Sequence, residues 1–266
     1  MTIARLESLC AWVGFAVLAL GWWASGSSAF RARPVPGDLL SPIIAVELMP
    51  VPTDPADLQK ELGKILGALD SPRRAEMARI TGRDNYFVIA YIALFVLLGL
   101  LLWREGWRVP AVLVALLGLG GGIFDLMENG AILTALAGHA VTPRPWAVWK
   151  WGLLFAAVGL LSFAYLRPVP PAVRRSIGRL AAVLSILSAI IGLGGIAFRV
   201  DPLIESGAQL LTTSLLVGWI YFATHAWLAN GFLAALDRVG DHRWLRWLTN
   251  WPSDEADVPV DRDRKH

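Results

Sequence analysis

Cysteine is almost missing from this chain. The single thiol, Cys10, lies in the first apolar run, so no internal disulfide can form and a cysteine-based metal cluster is excluded. Leu9 occupies the position where a lipoprotein signal requires a small residue, so that anchor is not expected. Histidine is scarce as well: only His225 falls within an apolar run, with His139 in a loop and His242 and His266 near the C-terminus. Haem ligation by two membrane histidines therefore has no support. No H-E-x-x-H, G-x-x-x-x-G-K-[ST] or G-x-S-x-G string occurs, which removes the zinc-protease, phosphate-loop and nucleophile-elbow chemistries. Ser162, Ser185 and Ser188 sit in apolar stretches without a neighbouring base, and no serial arginines form a voltage-sensor pattern. No cofactor or metal site is implied. Lysine is confined to Lys60, Lys64, Lys150 and Lys265, the remaining positive charge being arginine, a bias that suggests a GC-rich bacterial genome.

What the sequence has in abundance is apolar length. Of 266 residues, 56% are hydrophobic and 13 are Trp, with a mean hydropathy of +0.54, the composition of a polytopic membrane protein in a lipid bilayer. The net charge of +3 and pI of about 9.3 do not indicate a nucleic-acid partner, because the arginines largely flank apolar runs, where positive charge orients helices. Candidate spans occur at about 9–29, 86–103, 109–136, 146–166, 180–198 and 204–229, giving an all-α bundle of six membrane helices. Residues 1–29 read either as the first helix or as a cleavable signal, and the Trp22-Trp23 pair favours an interfacial anchor. The remaining divisions are an extracytoplasmic segment at 30–85, a five-helix core at 86–229, an interfacial helix at 230–251 and a disordered tail at 252–266.

The short loops carry Arg5, Arg104, Arg108, Arg167, Arg174, Arg175, Arg179, Arg238, Arg243 and Arg246 on one side, against mainly Arg144 and Arg199 on the other. That asymmetry predicts two cytoplasmic termini, in an inner-membrane setting. Within the outer segment, Leu58, Leu62, Ile65, Leu66 and Leu69 form one stripe after Pro55, with Thr53 or Asp54 as N-cap, so an amphipathic helix lying on the bundle or the membrane is expected. Ser71-Pro72 marks a further helix start that can run straight into the second span. "SPIIAVELMP" fits a strand or a helical turn equally well. Near the C-terminus, Trp244, Trp247, Leu248 and Trp251 share a stripe suited to headgroup depth.

One membrane stretch breaks the apolar rule. "GGIFDLMENGAIL" places Asp125, Glu128 and Asn129 at i, i+3 and i+4, on one helix face. Each acid costs about 2.5–3.5 kcal/mol at a bilayer centre, but counting from Val109 puts the group about 24–30 Å along its helix, near the outer edge. Lys150, in "WAVWKWGLLF", enters from the same edge and can pair with the acids. Asp84 in "TGRDNYF" and Glu205 in "FRVDPLIES" converge on that side. Gly118 and Gly122 permit close helix packing or, alternatively, a kink. "GLGGGIFDLMENGAIL" also echoes "GLGGIAFRVDPLIESGAQL", matching Glu128 with Glu205, but the second copy crosses a turn at Asp201-Pro202.

The D-x-x-E-N string, with "GRDNYFVIAY" before it and "VWKWGLL" after it, resembles a loose group of bacterial polytopic membrane proteins with no established activity. The resemblance covers roughly residues 79–155. It implies that Asp84, Asp125, Glu128, Asn129 and Lys150 recur together, and it implies no substrate.

Three functional expectations follow. In the first, an outer-leaflet pocket binds or transports a small cation, a polar molecule or a lipid headgroup, with Asp125 and Glu128 as anionic ligands, Asn129 orienting the ligand and Lys150 as a displaceable countercharge. In the second, the cluster is structural, and the chain is a scaffold or accessory subunit for a membrane-protein partner. In the third, the carboxylates act as general acid and base in an embedded lipid-modifying enzyme.

Overall fold

The computed structural model describes residues 2–25, 38–50, 55–68, 71–167 and 172–224. Among them the chain is all-helical: α1 (Ile3–Ser25), α2 (Pro42–Glu47), α3 (Pro55–Leu66), α4 (Pro72–Arg104), α5 (Arg108–Leu136), α6 (Arg144–Tyr165), α7 (Ala172–Phe198) and α8 (Asp201–Ala223). Six of these, α1 and α4 to α8, are long and apolar enough to cross a membrane. The Trp-rich stretch at 230–251, the tail, His225, Leu69 and the N-cap choice between Thr53 and Asp54 lie outside the described residues.

Large apolar side chains point outward as well as inward: Ile89, Leu116 and Ile190 are all more than half exposed. A bilayer turns that exposure into solvation, because lipid is as apolar as the side chains it meets. The spanning helices run alternately up and down. Their contacts fix two ends, one where Glu7, Glu105, Arg167 and Arg174 meet, the other where α2 and α3 lie over the start of α6 and the end of α5.

At the first end, burial pushes the Glu105 carboxyl above its ordinary range, with Arg167 acting against that shift. α1 is an integral part of the bundle rather than an appendage. Its Leu6, Cys10, Ala11 and Val17 are buried in the main core, and Trp219 donates to the Ala11 carbonyl at 3.0 Å.

The α2–α3 layer has its own small core. Leu58, Leu62 and Leu66 of α3 bury against Val46, Met49, Met77, Ile132 and Ala135, so the amphipathic stripe faces the bundle. "SPIIAVELMP" resolves as a helical turn. Ser41 accepts from the Ile44 amide at 3.4 Å and Pro42 stands at the first helical position, where a missing N–H costs nothing. α4 is continuous over 33 residues, about 50 Å, and so projects well beyond a bilayer core of about 30 Å. Ser71 caps its start, as the Ser-Pro pair suggests.

α5 is likewise unbroken, so its glycines serve packing and not a kink. A Cβ on Gly118 would stand 2.4 Å from Phe95 Cβ, one on Gly122 would stand 2.3 Å from Ile92 Cδ1, and one on Gly121 would stand 2.8 Å from Leu154 Cδ2. The first two bring α4 against α5, and the third brings α6. The apparent repeat does not extend to structure: its first copy lies within one helix, whereas its second bends at Arg199, whose φ is 56°.

Gly118→Ala should lower thermal stability in detergent by about 1–3 kcal/mol through overpacking against Phe95. Gly130, with open space around its Cα, should tolerate Ala with no loss. Equal melting temperatures for the two variants would contradict this account of the α4–α5 contact.

Candidate functional site

The close approach of α4, α5 and α6 has a direct consequence for the polar face of α5. Asp125, Glu128 and Asn129 are each buried, as is Lys150 on α6. The Lys150 Nζ donates to Glu128 Oε1 at 2.9 Å and stands 2.7 Å from Glu128 Oε2, 3.4 Å from Asp125 Oδ1 and 3.2 Å from Glu47 Oε2. A third carboxylate thus joins the pair expected from the sequence, delivered by α2. Lys150 also lies 4.6 Å from the Trp151 ring centroid, and Trp151 Nε1 donates to Glu47 Oε2 at 2.9 Å. The ammonium fills the point on which three acids converge.

α4 completes the group. Tyr91 donates its hydroxyl proton to Asp125 Oδ2 at 2.8 Å, and Asn129 Nδ2 donates to Asp84 Oδ2 and Asn85 Oδ1, each at 3.0 Å. Asp84 and Tyr91 are seven residues apart, two turns of one helix face. The structure therefore brings together Asp84, Asp125, Glu128, Asn129 and Lys150.

Glu205 has a different position. Its carboxylate accepts from the backbone amides of Leu40 at 2.8 Å and Ser41 at 2.6 Å, so it fixes the lead-in to α2 and is not one of the acids on Lys150. Arg144 holds the other end of α2. It pairs with Asp201 at 2.8 and 3.0 Å and donates to the Leu48 carbonyl. The short helix is anchored at both ends, and Glu47 is its last residue.

Beside the cluster, α1, α2, α4, α5 and α8 enclose a cavity of about 410 Å³. Glu47, Asp84, Asn129 and Thr81 contribute polar atoms to its wall, and Trp22 and Leu215 belong to its apolar remainder. Its size falls within the range of small-molecule sites. Asp125 and Glu128 are not on that wall. They lie behind it, on Tyr91 and Lys150, so the acids that meet the cavity differ from those the D-x-x-E-N string singles out.

Glu47, Tyr91 and Trp151 were not legible as members of the site. Glu47 carried a signal, as the one acid in a short apolar run between Pro42 and Pro50, and Tyr91 carried its two-turn spacing from Asp84. The Glu7, Glu105, Arg167 and Arg174 network at the far end was also missed, because its members come from four separate segments.

Comparison with protein-family models, curated proteins and solved structures finds no match for the chain.

Lys150→Met should destabilise the fold by about 3–5 kcal/mol, since removing one partner of a buried ionic group leaves the others uncompensated. Adding Glu128→Gln to that variant should recover part of the loss. Additive losses in a double-mutant cycle of melting free energies would show that the two groups do not depend on each other.

Proposed function

We propose that this integral membrane protein binds an amphiphilic cation, an amine or quaternary ammonium with a hydrocarbon tail, in the cavity beneath α2. The observation that carries the reading is an imbalance beside an apolar space. Three carboxylates, Glu47, Asp125 and Glu128, surround one ammonium among the described residues, a fourth, Asp84, stands beside them on Asn129, and two of the four, Glu47 and Asp84, face the cavity. Excess negative charge is costly in a low-dielectric interior. A cationic headgroup entering beside Asp84 and Glu47 offsets that cost, while the apolar wall accepts its tail.

Asn129 orients Asp84, and Lys150 stays in place as the internal countercharge, which revises its expected role as a displaceable one. The acid–base reading has less support, because Asp125 and Glu128 lie behind the cavity wall. The positive-inside rule supports a cytoplasmic arginine-rich end and a cavity in the outer leaflet, and the arginine bias suits a bacterial inner membrane.

The test uses octyltrimethylammonium as probe and octanol as its neutral counterpart, with melting temperature in a non-ionic detergent as readout. The cation should stabilise the protein in a concentration-dependent manner, octanol should not, and Asp84→Asn should abolish the effect while keeping the unliganded melting temperature within a few degrees. Equal stabilisation by octanol, or full retention of the effect in Asp84→Asn, would reduce the site to an apolar void.

A further inference from the structure

The opposite end of the bundle carries charge of nearly one sign. Its two described glutamates are already engaged: Glu7 pairs with Arg167 at 2.9 Å and Arg174 at 2.7 Å, and Glu105 pairs with Arg167 at 2.5 Å. Arg175 and Arg179, in the next turns of α7, form no ion pair with any described residue. They are four residues apart, hence on one face, where like charges repel. Arg5, Arg104 and Arg108 belong to the same end and reinforce the positive field.

Arg175 and Arg179, with Tyr165 at the end of α6 and Leu166 and Arg167 just beyond it, line a cavity of about 230 Å³. Arginines that line one small cavity suit a phosphate, which guanidinium groups can hold through paired N–H donors. What lies next to the cavity identifies the rest of the ligand. Leu180, Val183 and Leu187 continue along α7 towards the membrane interior, 52%, 52% and 42% exposed. Their spacing of three and four residues makes a single apolar stripe that begins where the arginines end.

We propose that this pocket binds the phosphodiester headgroup of an anionic phospholipid, with its acyl chains laid along Leu180, Val183 and Leu187. The net positive field selects anionic over zwitterionic lipid, since each basic residue near the surface adds to the attraction. Arg167, neutralised by two glutamates, shapes the pocket, while Arg175 and Arg179 hold the phosphate.

The experiment is lipid binding to the purified full chain by native mass spectrometry, with phosphatidylglycerol, phosphatidylcholine and inorganic phosphate as separate probes. Phosphatidylglycerol should bind the unaltered chain more tightly than phosphatidylcholine, and Arg175→Gln/Arg179→Gln should weaken its binding about 30-fold. Arg5→Gln/Arg108→Gln removes the same charge from the same end and should leave most of the affinity intact. Arg175→Lys/Arg179→Lys provides a charge-retaining variant, expected to fold and to show an intermediate loss. Equal losses in the two Gln pairs would overturn the pocket in favour of a diffuse basic surface. Inorganic phosphate that displaces the lipid at equimolar concentration would overturn the lipid assignment, because a free anion would then account for the site.

Discussion

The membrane core depends on one buried ammonium. Lys150 joins α6 to α5 through Asp125 and Glu128 and joins both to α2 through Glu47. In a bilayer the apolar side chains gain little by leaving lipid, so van der Waals contact and polar links must supply the specificity that burial supplies in water. The Lys150 group does so where three helices meet, and the anchoring of α2 serves it. Arg144 and Glu205 hold α2 so that Glu47 meets the ammonium. Tyr91 donates to the Asp125 oxygen that Lys150 leaves, and Asn129 holds Asp84 beside the group.

Small residues make that arrangement geometrically possible. Gly118, Gly121 and Gly122 let α4 and α6 approach the same helix closely, which is why the polar face of α5 is enclosed rather than exposed to lipid. A similar contact recurs between α7 and α8, where a Cβ on Gly207 would stand 2.6 Å from Gly192 Cα. Close glycine contacts thus recur through the bundle, and the polar cluster belongs to those that join α4, α5 and α6.

The helical class and the six spans were legible because hydropathy and helix length are local properties. The i, i+3, i+4 spacing of Asp125, Glu128 and Asn129, together with the depth of Lys150, gave most of the cluster for the same reason. Where reading the chain failed, the missing information was three-dimensional. Nothing local distinguishes Glu205, which binds two backbone amides, from Glu47, which binds an ammonium; both are acids in short apolar surroundings. The wall of the cavity was not legible either, since α1, α2, α4, α5 and α8 meet there only after folding. Glu7 and Arg167, 160 positions apart, illustrate the same limit at the other end.

The uninterrupted course of α4 has a mechanical side. Met77 is embedded in the small core under α3, while Leu98 and Leu101 are embedded in the membrane core, and a single rod of backbone hydrogen bonds joins them. Asp84 and Tyr91 lie midway along it, so the helix that carries them is clamped in one core on either side.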